Sequence, residues 1–125
     1  MRATVKLFRA LSDPTRLRLL FALRDGECCV CQLIALVDLA PSTVSKHLSL
    51  LREAGLIESR KQGRWVHYRL ADPLPFPMFG TSSPGSFQTL ENDPVLRADA
   101  RNLVRIRALD LVELCPSTPR KISRP

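Results

Sequence analysis

The chain has 125 residues, 45% hydrophobic and 25% charged, with 10 prolines and 5 glycines, which suits one small globular domain and excludes wholesale disorder or a two-domain enzyme. No apolar run approaches the roughly 18 residues of a membrane span, and the start regains charge at Arg9 before a signal-peptide core can form, so a cytoplasmic protein is expected. Nineteen lysines and arginines against 12 acidic residues give a net charge of +7, a balance that favours a polyanionic partner, most often nucleic acid.

The first predicted element is a short helix over residues 4–11, with Val5, Leu7, Phe8 and Ala10 on its apolar side. Ser12-Asp13-Pro14 punctuates the chain and caps a second helix, Thr15 to about Leu23. Its buried stripe is read as Leu17, Leu20 and Phe21, leaving Arg16, Arg18 and Arg24 for water or DNA. Asp25-Gly26 stops it, and residues 27–37 read as a third helix that carries Cys28, Cys29 and Cys31. A fourth helix, residues 42–54, follows the break at Pro41. In it Val44, Leu48 and Leu51 recur at i, i+4, i+7 and should point inward, with Ser42 as a possible cap.

Residues 56–59 and 65–70 are strand-like and enclose Arg60-Lys61-Gln62-Gly63-Arg64, a basic hairpin tip. Residues 72–89 form a connector rich in proline, glycine and serine, which Phe76, Phe79 and Phe87 could pin to the domain. One last helix is predicted over residues 94–115, ending at Pro116, with a loose basic tail at 116–125.

Helix, turn, helix and basic hairpin, in that order, make a winged helix-turn-helix: a mainly α fold with a β-hairpin wing, residues 56–70, in a single domain. The helix at 42–54 has an uncharged polar N-terminal end that can approach DNA without repulsion, and its length suits the major groove. Ser42, Thr43, Ser45, Lys46 and His47 are the candidate groove-facing residues, Arg52 lies further along, and Arg60, Lys61 and Arg64 would meet phosphates from the wing. The terminal helices carry more apolar surface than so small a body needs, which points to a homodimer through Val5, Phe8, Leu96, Leu103 and Leu111 on a two-fold symmetric double-stranded operator.

Three of the four cysteines fall within four positions, with Cys115 far away. A disulfide framework spreads its cysteines to close loops, so the spacing reads as a thiolate cluster in a reducing compartment. On an ideal helix Cys28 and Cys31 lie about 60° apart and Cys29 and Cys31 about 160° apart, so one centre holding all three needs the first helical turn to unwind. Such strain would loosen the support of the reading helix.

Glu27-Cys28-Cys29-Val30-Cys31-Gln32-Leu33 resembles the metal-box motif of the ArsR/SmtB family of metal-responsive repressors, arsenic-sensing branch. Ser42 to Leu48 with Leu51 to Leu56 resembles that family's recognition helix, Phe8 to Arg18 its opening segment, and Gly63 to Leu70 its wing. The resemblance covers about residues 4–70 and implies a homodimeric, non-enzymatic repressor that needs no cofactor to bind DNA and leaves its operator when trivalent arsenic or antimony binds. The family's first two arsenic ligands fall on Cys29 and Cys31, but its third falls on Ile34, which cannot ligate. Cys28 is the favoured replacement and Cys115, from the same or the other subunit, the alternative. If only Cys29 and Cys31 bind, a monomethylated arsenical fits better than arsenite.

The family's interface zinc site needs histidines on the last helix, where this chain has Asp99, Asp110 and Glu113 but no histidine. Cadmium or lead would draw on cysteines before Cys28, and none occurs. A thiol-based redox or sulfur sensor remains the rival function. An oxidoreductase is disfavoured, because the Cys28–Cys31 spacing lacks the strand-helix-strand order around it.

Overall fold

The computed structural model describes residues 1–115; the predicted tail at 116–125 lies outside the described residues. Helices α1 (Arg2–Leu11), α2 (Pro14–Ala22), α3 (Val30–Val37) and α4 (Pro41–Glu53) precede the hairpin β2 (Ile57–Gln62) and β3 (Trp65–Leu70). A two-residue strand, β1 (Cys28–Cys29), comes before α3, and α5 (Gly85–Leu90), α6 (Pro94–Arg107) and α7 (Leu111–Leu114) follow the hairpin. The antiparallel sheet has the order β1-β3-β2. Among these residues no helix is long and apolar enough to cross a membrane.

Local chemistry explains most of these boundaries. Asp13 accepts from the Arg16 backbone N–H and Pro14 opens α2, as its sequence predicts. Val44, Leu48 and Leu51 of α4 are fully buried. They meet Leu19, Leu20, Leu23, Leu33 and Leu56 in one core. The α2 stripe is rotated from the expected one: Leu19, Leu20 and Ala22 are buried, whereas Leu17 and Phe21 are only partly so. The reason is that α2 is covered from two sides, by α3 and α4 and by α6.

The arginines expected to face water are tied down. Arg18 makes a forked pair with Asp99 of α6, at 2.8 and 3.0 Å, and also donates to the Leu36 carbonyl. Arg16 donates to the carbonyls of Arg9 and Ala10. Arg24 lies over the Phe79 ring at 5.0 Å and 3.5 Å from Glu91.

The connector is pinned by its phenylalanines, as its sequence allowed: Phe76, Phe79 and Phe87 join Phe21 in an aromatic cluster with centroids 5.1–6.3 Å apart, Met78 is buried, and α5 forms inside it. Two further expectations change. The single terminal helix is two, because α6 ends at Arg107 and the Asp110 side chain caps α7 anew by accepting from the Val112 N–H. The helix predicted over 27–37 begins only at Val30, since Cys28 and Cys29 are drawn into the sheet.

Asp99 is buried and its partner half-buried, so removing it strands a cation where α2 meets α6. Asp99→Ala should lower the unfolding free energy by about 1–3 kcal/mol in urea denaturation. A change within about 0.5 kcal/mol, the range of ordinary surface substitutions, would show that the pair does not hold these helices together.

Candidate functional site

The register of β1 on β3 sets the geometry of the cysteines. Cys28 lies opposite Tyr68 and Cys29 opposite His67, and successive strand residues point to opposite faces. Cys28 therefore shares the inner face with Tyr68 and is fully buried in the core. Cys29 shares the outer face with His67.

At that point the chain turns into α3 with Cys29 as its N-cap. The Cys29 sulfur accepts from the Gln32 backbone N–H, while the Gln32 carboxamide oxygen accepts from the Cys29 N–H at 2.8 Å. This capping box locks the strand-to-helix corner and places Cys31 within the first turn of α3.

Cys115, immediately after α7, completes the group. Its sulfur lies 3.8 Å from that of Cys29, and it forms a disulfide with Cys31 whose Cα atoms are 5.5 Å apart. The sulfurs of Cys29, Cys31 and Cys115 all lie within 4.8 Å of one another. The structure thus gathers these three and leaves Cys28 out. No unwinding of α3 is required, because the corner at Cys29 already turns its sulfur and that of Cys31 to one side. The clustered spacing argued for free thiols, and the structure instead closes a covalent link across 84 positions. Ile34, at the family's third ligand position, packs against the core.

Cys28 meets Arg107, which donates to its sulfur at 3.2 Å. Burial pushes the Cys28 thiol up, with the Arg107 charge opposing, so the dominant influence favours the neutral thiol over a ligating thiolate. Sequence reading missed Arg107: the helix predicted over 94–115 placed it mid-helix on the flank of the apolar face, with no sign of a distant partner.

The candidate DNA-facing residues divide. Ser42, Thr43, Ser45 and Lys46 are exposed along the N-terminal half of α4. Ser42 does not cap: Ala40 holds that position, with no side-chain bond, and Pro41 opens the helix. His47 turns inward, with Nδ1 3.0 Å from Arg16 Nη1 and 3.9 Å from Asp13, and braces the α1–α2 corner. Arg52 donates to the Ser59 hydroxyl at 3.1 Å, linking α4 to the wing. Arg60 and Lys61 belong to β2 rather than to the tip, which is Gly63 and Arg64, and Gly63 takes the positive φ of 64° that the turn requires. Arg60 forks onto Glu27 at 2.6 and 2.9 Å and holds that carboxyl below the usual carboxylate range.

The expected dimer residues also divide. Phe8 is 65% exposed and Val5 46%. Leu103 is taken into the protomer's own core, and Leu96 and Leu111 are half-buried. The apolar surface that α6 offers is carried instead by Val95 and Val104, 54% and 73% exposed.

Comparison with known proteins agrees with this architecture. Residues 13–59 match the family described as bacterial regulatory protein, arsR family. The arsenical resistance operon repressor of Escherichia coli K12 is 49% identical over 72 residues, a stretch covering 57% of this chain and 62% of that protein. The HTH-type transcriptional regulator CmtR of Mycobacterium tuberculosis H37Rv is 53% identical over 70 residues, covering 56% and 59%. The chain thus spans less than two thirds of the length of these curated relatives. The solved structure of HlyU from Vibrio cholerae N16961 superposes with a TM-score of 0.55 at 30% identity, covering 72% of this chain and 89% of that one. With its helix-turn-helix, its β1-β3-β2 wing and these matches, the chain belongs to the arsR family of bacterial regulatory proteins.

Proposed function

We propose that this protein is a cytoplasmic, homodimeric repressor of a metal-resistance operon, and that trivalent arsenic or antimony, bound by Cys29, Cys31 and Cys115, releases it from its operator. The observation that carries this reading is the convergence of those three sulfurs within 4.8 Å. Thiolates are soft ligands and select soft centres. In the reduced chain three thiols displace the three hydroxyls of arsenite as water, with no change of oxidation state. The likeness to a repressor named for arsenical resistance supports the same inducer.

Release follows from where the sulfurs sit. Cys29 belongs to a strand hydrogen-bonded to β3 of the wing, and Cys115 belongs to the arm that follows α6. Ligation ties the arm to the wing sheet, so inducer and DNA compete for the arrangement of one body, a coupling between two sites. DNA is held by Ser42, Thr43, Ser45 and Lys46 in the major groove and by Lys61 and Arg64 from the wing. Val5, Phe8, Val95 and Val104 form the dimer surface.

One observation favours a second reading. Cys31 and Cys115 stand bonded, as they would in a repressor that answers oxidants by closing a disulfide.

Fluorescence anisotropy of the reduced protein on promoter DNA, titrated anaerobically, separates these. Arsenite should release the DNA near one equivalent per protomer, Cys115→Ser should abolish the response, and Cys28→Ser should retain it. Release by methylarsenite alone would replace the three-thiolate site with a two-thiolate one. Release by cadmium alone would replace the metalloid with a cation. Release only by an oxidant, reversed by dithiothreitol, would establish the redox reading.

Lys46→Ala should weaken operator binding and lower the slope of log K against log salt by about one unit; an unchanged slope removes Lys46 from the interface. Val104→Glu should give a monomer in sedimentation equilibrium, and a persisting dimer would place the interface elsewhere.

A further inference from the structure

Cys31 and Cys115 join two pieces of chain more than eighty positions apart, and once that bond is reduced, as metalloid ligation requires, something other than the sulfurs must keep the pieces together. Cys29 and Cys31 lie on the β1–α3 corner, whereas Cys115 lies at the end of a separate arm. A two-thiol contact between such pieces needs an anchor near it, or the arm samples many positions and the third bond costs ordering entropy.

Arg107 supplies a contact of the right kind. It is the last residue of α6, at the root of the arm. Its guanidinium donates to the Gly26 carbonyl at 3.2 Å, the Glu27 carbonyl at 3.3 Å and the Cys28 sulfur at 3.2 Å. These three acceptors are the residues immediately before Cys29.

From Arg107 to Cys115 the arm is short and internally bonded. Ala108 and Leu109 donate back to Arg105 and Ile106, Asp110 caps α7, and the Cys115 N–H donates to Leu111 at 2.7 Å. The arm is thus two short bonded turns over eight residues, so holding the root confines the tip to the neighbourhood of β1. Gly26 lies directly against this fork: its φ of 141° suits glycine, and a Cβ there would sit in ordinary contact with Arg107 Nη1 at 3.6 Å.

We propose that Arg107 is a positioning residue for the metalloid site, a fork that clamps the Cys115 arm to the strand bearing Cys29 and so prepares the third thiolate. The inference rests on the three-thiolate reading above. Arginine suits the task because its planar donors reach two consecutive carbonyls and a sulfur together, whereas a lysine ammonium is a point donor. Arg107 acts through Cys115 and touches no metalloid itself.

The test uses the full reduced chain with arsenite as the probe. Sulfur neighbours are counted by arsenic X-ray absorption, arsenite affinity is measured by titration, and operator affinity without arsenite is measured alongside. Arg107→Ala should fall from three sulfur neighbours to two and lose about 10- to 100-fold in arsenite affinity, while keeping its operator affinity. Arg107→Lys should recover part of both losses. Should Arg107→Ala fail to fold, Arg107→Gln, which keeps donors but not the fork, is expected to show the same loss of the third sulfur.

Three sulfurs and parental affinity in Arg107→Ala, or in Arg107→Gln if that is the variant that folds, would overturn the proposal. Cys115→Ser, measured in parallel, keeps the two failures apart. If it too retains three sulfurs, the three-thiolate assignment itself falls; if it loses the third sulfur while the Arg107 variants keep it, only the clamp falls.

Discussion

Two residues of antiparallel pairing, Cys28 on Tyr68 and Cys29 on His67, organise the rest of this structure. Alternation along a strand is absolute, so adjacent cysteines in a strand cannot serve one centre. The pairing commits Cys28 to the core beside Leu33 and Leu56 and commits Cys29 to the outer face, where α7 arrives. A helix at the same place would have spread the three sulfurs around an axis. The strand followed at once by a helical turn collects two of them on one side and leaves space for a third from elsewhere. The same pairing makes the cysteine segment part of the wing sheet, so chemistry at the sulfurs is mechanically adjacent to the hairpin.

The helices lean on that junction through polar links that cross between elements. Gln32 closes the corner from the α3 side. Arg18 and Asp99 join α2 to α6, and Arg107 returns from the end of α6 to residues 26–28. Each link spans a boundary that apolar packing alone would allow to slide, because leucine against leucine sets distance but not register. The aromatic cluster of Phe21, Phe76, Phe79 and Phe87 performs the same service with rings, two pairs edge to face and one stacked.

Much of the fold was legible from periodicity and punctuation. Val44, Leu48 and Leu51 announced the inward face of α4, Asp13-Pro14 announced the start of α2, and Gly63 announced the wing turn. What was not legible depended on distant partners. Whether residues 28 and 29 are helical or extended is decided by β3, nearly forty positions later. The rotation of the α2 stripe is decided by α6, and the fate of Arg16, Arg18 and Arg60 by Ala10, Asp99 and Glu27. The site was legible in its cysteines but not in its membership: local spacing favoured Cys28 and could not locate Cys115, since the break at 108–110 that aims the arm gives no signal beyond Asp110 as a cap. A continuous helix over 94–115 would have carried Cys115 along the α6 axis instead of back to the sheet.

The forked pair between Arg60 and Glu27 bears on how the wing meets a polyanion. A cation already matched to a carboxylate has little attraction left for a phosphate and displaces few condensed ions from the double helix. Arg69 is likewise matched, to Glu58, and among the described residues Lys61 and Arg64 enter no ion pair, so two of the hairpin's four lysines and arginines are already paired with carboxylates. Glu27 directly precedes Cys28 in the chain and is held by a strand of the wing. The effective charge of the wing is therefore set at the thiol segment, and any movement of that segment changes how many cations the hairpin leaves uncompensated.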